Sequence, residues 1–199
     1  MNRERHAVTV DLGMWAFLAT EMLFFGSLIL AYTLYRVSYP AVFRVGGREM
    51  EFGWGTINTA LLLISSVCMA LADRAVRAGR TRLGFSLLIA TGLLGAGFLG
   101  IKAFEYHSKF VAHLVPGRNF RAGTSPQLQM FFFLYFAMTG LHALHMILGL
   151  GAVTWLIVRL KRGTITSTNA EPLAAVGLYW HFVDCVWVLL YPLFYLPGR

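Results

Sequence analysis

Five long apolar runs leave this chain few ways to fold. They cover residues 12–35, 54–73, 83–106, 127–158 and 173–196 of 199. A hydrocarbon core about 30 Å thick needs about 20 helical residues to cross it, and each run supplies that many. Open sheets would leave backbone groups unpaired in lipid, so the runs are read as helices. A transmembrane barrel would instead alternate in polarity over about ten residues at a time. The expected fold is an all-α integral membrane protein, a single domain of five spans. The fourth run is longer than a perpendicular crossing requires, which predicts tilt or an interfacial start.

Composition agrees. Hydrophobic residues make up 57% and charged residues 13%. Soluble domains carry about 45–50% and about 25%, so this chain cannot cover a water-facing surface. That excludes a soluble enzyme, a disordered chain and a collagen-like fibre. Cys68 and Cys185 both lie inside apolar runs, which is neither a disulfide framework nor a zinc module. The net charge of +8 comes from arginines placed beside and between the runs. There they suit lipid headgroups better than nucleic acid.

The connections read as a polar loop at 36–53, a tight Arg-rich turn at 73–82, a Pro/Gly loop at 107–126 and a basic, then Ser/Thr-rich segment at 159–172. The first run carries Glu21 and has no small-x-small cleavage site after it, so it is expected to be a retained helix rather than a signal peptide. Lys and Arg total nine on the side of the N-terminus and seven on the other, or eight with Lys102. The short second connection alone holds Arg74, Arg77, Arg80 and Arg82, which places the N-terminus in the cytoplasm and the C-terminus in the periplasm.

Ionisable groups inside the runs mark what the chain is for, since each is costly in lipid unless paired or protonated. Glu21 reads as a polar clamp between helices or as a proton-linked site. His142 and His145 share a face of the fourth helix, as do His181 and Asp184 on the fifth. The histidines could ligate a metal or haem, relay protons, or bond to a neighbouring helix. A hydrogen-bonded partner for Glu21 is the favoured role. Asp184 is expected to accept from a histidine ring or to face a partner subunit. Glu105, near the end of the third run, reads as a group that reaches the interface. The glycines of 92–100 and Gly140, Gly149 and Gly151 either let helices approach closely or make room for lipid tails; composition does not choose. No phosphate-binding loop, nucleophile elbow or Cys/His metal motif is present.

Motifs on all five runs then fall into one order. Tyr179-Trp180-His181-Phe182-Val183-Asp184-Cys185-Val186-Trp187 closely resembles a signature of subunit III of haem–copper oxidases. Thr139-Gly140-Leu141-His142-Ala143-Leu144-His145, the Glu21 segment, Asn58-Thr59-Ala60 and Glu105-Tyr106 are similar to further segments of that family. The resemblance is to the five-helix bacterial type. Where other members carry a His-rich loop before the last helix this chain has 164–169, and 114–118 replaces an Asp-Gly-x-Tyr-Gly-Ser segment.

The resemblance implies a non-catalytic core subunit of a terminal oxidase in the bacterial inner membrane, whose complex reduces O2 to water and pumps protons. It implies haem and copper held by subunits I and II, packing mainly on subunit I with small subunits as further neighbours, structural phospholipids, and support of proton uptake and lasting activity. By the same resemblance Glu21 would pair with a fourth-helix histidine, and Trp54, Arg162 and His181 would lie near lipid. The Val183 form of the signature favours cytochrome c as the donor. Competing readings are the related subunit of a quinol oxidase or nitric oxide reductase, a small haem-b electron carrier using His142, His145 and His181, and a proton-coupled transporter using Glu21 and Asp184.

Overall fold

A computed structural model describes the backbone of residues 2–117, 120 and 125–197, with side chains from Leu12 onward. The described residues form six helices and no strand: α1 (Asn2–Ser38), α2 (Pro40–Arg48), α3 (Phe52–Arg77), α4 (Thr81–Val111), α5 (Pro126–Lys161) and α6 (Glu171–Tyr195). Leu12–Ser38 of α1 and the whole of α3, α4, α5 and α6 are long and apolar enough to cross a membrane. The chain is thus an all-α membrane protein with five spans.

The connections are shorter than the hydropathy pattern predicts. The 36–53 segment, expected as a loop, contains α2. Pro40 opens this helix, where its missing N–H costs nothing, and Phe43, Gly46 and Gly47 face inward. Gly46 lies under the Phe131 ring, and a Cβ there would come within 2.5 Å of it. A glycine that suggests a loop in sequence is therefore a seat for an aromatic ring. The 73–82 turn shrinks to three residues, because α3 continues to Arg77 with an Asp73–Arg77 ion pair of 2.9 Å one turn apart. Likewise α4 runs on to Val111 and α5 to Lys161. Arg118 and Gly123 of the third connection lie outside the described residues.

Helices α3, α4, α5 and α6 close a four-membered ring, each packed on its two neighbours. α1 leans on α5 and α6 from outside and touches neither α3 nor α4. α2 lies across the end of the bundle where α1, α4 and α6 finish, against α1, α5 and α6. Phe43 fills that cap, edge-on to Tyr32 and Phe131.

Lipid tails are as apolar as leucine, so close packing rather than burial from water must hold such helices together. Trp180 supplies it at the centre of the ring. Its indole, carried by α6, fits between Gly95 of α4 and Gly149 of α5, where a Cβ would meet the ring at 2.8 and 3.1 Å. Its Nε1 donates to Ser65 Oγ of α3 at 3.0 Å. One side chain thus touches all three other helices of the ring. The glycines at 95 and 149 admit an indole, neither a second backbone nor a lipid tail. Pro192 interrupts the hydrogen bonding of α6 near its end, where carbonyls lack helical donors. Tyr32 Oη of α1 donates to the Leu193 carbonyl there and ties the outer helix to the bundle.

Candidate functional site

Polar side chains of different helices meet in several places inside the bundle, and two of these hold oppositely ionisable pairs. The first lies where α1 meets α5. Glu21 Oε2 and His145 Nε2 are 3.1 Å apart, an ion-pair distance that falls short of hydrogen-bond alignment. His145 Nδ1 lies 2.8 Å from the Leu141 carbonyl. A carbonyl only accepts, so Nδ1 carries a proton and a neutral ring presents the bare lone pair of Nε2 to Glu21. The carboxyl and the ring thus face each other across the α1–α5 contact, and each has a polar neighbour in place of lipid.

His142 does not join this pair. It is 1% exposed, its ring packs on Phe98 and Trp187 at centroid distances of 5.4 and 5.2 Å, and neither nitrogen has a hydrogen-bond partner among the described residues. Three residues advance a helix by about 300°, so His142 and His145 point about 60° apart and reach different neighbours. The same offset separates His181 from Asp184, and no bond forms between them. His181 Nδ1 instead meets Ser66 Oγ of α3 at 2.7 Å. The Asp184 carboxyl is buried close to Ser66, whose hydroxyl is engaged by His181, and neither of its oxygens has a well-directed bond.

The second cluster was not legible as such in the sequence. Glu105, expected at the interface, is 1% exposed, and Lys102 is 4% exposed. Lys102 Nζ lies 2.9 Å from Glu105 Oε2. Glu105 also accepts from Tyr135 Oη at 2.8 Å and from Tyr195 Oη at 2.6 and 2.9 Å. Lys102 Nζ donates to Tyr195 Oη at 2.5 Å and sits over the Trp187 ring, 4.6 Å from its centroid. The carboxylate thus has three donors, and the ammonium has a carboxylate, a phenol and an aromatic face. Burial of two charges is tolerated only under such saturation. The cluster ties α4 to α5 and α6, and Lys109, one turn further on, donates to the Glu49 carbonyl just after α2. The usable sequence signal was the i, i+3 spacing of Lys102 and Glu105 at the end of an apolar run.

The residues expected near lipid do not form one site. Trp54 stands at the start of α3, half exposed and packed edge-on to Phe104. Arg162 follows the end of α5. Consecutive spans alternate in direction, so the start of α3 and the end of α5 lie on opposite membrane faces. His181 lies between them in depth. Among the described residues no three His, Cys, Asp or Glu side chains are grouped to hold a metal ion.

Five apolar spans with polar contacts between them define a polytopic all-α membrane protein. The family model for cytochrome c oxidase subunit III matches residues 4–199, and the chain belongs to that haem–copper oxidase subunit family. It is 34% identical over 189 residues to the heme-copper oxidase subunit I+III of Aeropyrum pernix, covering 92% of this chain but only 22% of that protein's length. It is 32% identical to cytochrome c oxidase subunit 3 of Alkalihalophilus pseudofirmus, covering 94% of this chain and 86% of that protein. It is 29% identical to cytochrome bo(3) ubiquinol oxidase subunit 3 of Pseudomonas putida, covering 94% and 85%. The chain is therefore a subunit III of an oxidoreductase complex, from a family that serves both kinds of oxidase.

Proposed function

We propose that this chain is the non-catalytic subunit III of a proton-pumping, O2-reducing terminal oxidase that takes electrons from cytochrome c. The observation that carries the reading is the family match along residues 4–199, joined to motifs on every span. A relative in which subunits I and III form one protein supports subunit I as the main neighbour. Subunit II and small subunits complete the assembly, and haem and copper reside in those partners. Cytochrome c as donor is supported by the Alkalihalophilus and Thermostichus relatives, each 32% identical. Relatives named as quinol oxidase subunits, at 29–31%, make a quinol the second reading.

In this reading the chain lies in the bacterial inner membrane with its N-terminus cytoplasmic and its C-terminus periplasmic. Glu21 and His145, 3.1 Å apart inside the span, support proton uptake by the neighbouring catalytic subunit. Trp54 and Arg162 meet phospholipid headgroups at opposite faces. The test is purification in mild detergent, with identification of co-purifying subunits, a visible spectrum, and O2 consumption on reduced cytochrome c against a quinol. A cytochrome c oxidase yields subunits I and II, haem in the complex, and consumption on cytochrome c. A Soret band in the isolated chain that disappears in His142→Ala would overturn the reading in favour of a haem carrier.

A further inference from the structure

We infer that the outward seam between α3 and α6, centred on His181, docks a transmembrane helix of a partner subunit that brings a hydrogen-bonding side chain to mid-bilayer depth. The inference rests on the chain being one subunit of an oxidase complex. Other hydroxyls on the outer faces satisfy themselves: Thr20, Ser27, Thr33 and Thr154 each donate to a carbonyl three or four residues back in their own helix. His181 does not. Its Nδ1 is held by Ser66, which fixes the ring, and its Nε2 has no partner among the described residues, although the side chain reaches the surface.

Depth excludes a headgroup as that partner. His181 is ten residues beyond Glu171, about 15 Å along α6 at about 1.5 Å per residue. That lies near the middle of a hydrocarbon core about 30 Å thick, where acyl chains offer no hydrogen bond. A polar atom facing hydrocarbon is costly, whereas one from a neighbouring helix satisfies it. The seam is lined by small side chains. Ala174, His181 and Cys185 share a face of α6 at helical spacing, and they and Ala70 on α3 are small or partly exposed side chains beside which a further helix can approach closely. α1 makes no contact with α3, so nothing within the described chain covers the seam. The outer face of α1, by contrast, carries Leu12, Trp15, Met22, Leu23, Leu30 and Leu34, as a lipid-facing surface does.

The test is photocrosslinking in the intact complex, with a benzophenone amino acid in place of Val67 or Val188. Both side chains are exposed beside the seam, and Leu93 on α4, 68% exposed, serves as the lipid-facing control. The expected result is a protein adduct from both seam positions, mapped by mass spectrometry to a membrane-spanning segment of a subunit of the same complex, with lipid adducts from Leu93. His181→Leu should lower the protein adduct about tenfold, and His181→Gln, which keeps a hydrogen-bonding end, should restore it. Lipid-only adducts at both seam positions, a quinone adduct there, or a yield unchanged by His181→Leu would overturn the proposal. The adducts in the parent background do not depend on how the His181 variants fold. A complex that still contains its haem subunits but gives no seam adduct defeats this proposal while leaving the subunit assignment intact.

Discussion

Breaking the Lys102–Glu105 pair should damage this protein more than removing both members does. Glu105→Leu leaves the Lys102 ammonium buried at 4% exposure with only two phenol oxygens, of Tyr135 and Tyr195, and aromatic faces around it. An uncompensated buried charge of this kind costs about 3–5 kcal/mol. The Tyr135 and Tyr195 hydroxyls also lose their acceptor, which adds about 1–3 kcal/mol for each one left unsatisfied. Lys102→Met leaves the carboxylate with two phenolic donors and should fall at the lower end of the first range, about 3 kcal/mol. In Lys102→Met/Glu105→Leu the charges are gone and only the tyrosines remain short of a partner. The double variant should therefore be more stable than Glu105→Leu alone, with a coupling of at least about 2 kcal/mol. The assay is a double-mutant cycle on the complex, following unfolding of this subunit by retained monodisperse fraction against temperature. At about 2–4 °C per kcal/mol for a chain of this size, Glu105→Leu should lower the midpoint by more than about 8 °C. Additive single effects, or a Glu105→Leu shift no larger than that of Lys102→Met, would refute the saturated-pair account.

Trp180→Ala should empty the slot between Gly95 and Gly149 and cost about 3 kcal/mol, the lower end for loss of a large aromatic since lipid removes part of the transfer gain; thermal unfolding of the complex checks it. Tyr32→Phe removes one hydrogen bond to the end of α6, about 1 kcal/mol, and should speed hydrogen exchange at the C-terminal end of α6 and the start of α2 while leaving α4 unchanged. Glu21→Gln keeps a polar side chain of the same length beside His145 but removes the ionisable carboxyl group. It should leave the haem-to-protein ratio of the complex unchanged and shorten the time over which turnover is sustained, read from O2 consumption traces; loss of haem would contradict it.

Some of this was written in the chain and some was not. The five spans, the buried cost of Glu21 and the family motifs were legible because each depends on a continuous segment measured against a fixed bilayer thickness. Contacts were not, because they depend on the rotational phase of each helix against its neighbours. His142 and His145 look equivalent on a helical wheel, yet only one reaches Glu21. Glu105 looks like the end of a span, yet the donors to its carboxylate include a tyrosine 90 residues away. Gly46 looks like part of a loop until Phe131 is laid over it. Hydropathy adds up residue by residue along the chain, so sequence alone determined that it crosses the membrane five times. Which polar atoms meet is a property of the assembled bundle, where a turn of 60° about one axis exchanges an ion pair for an aromatic cage, and only the tertiary structure decided it.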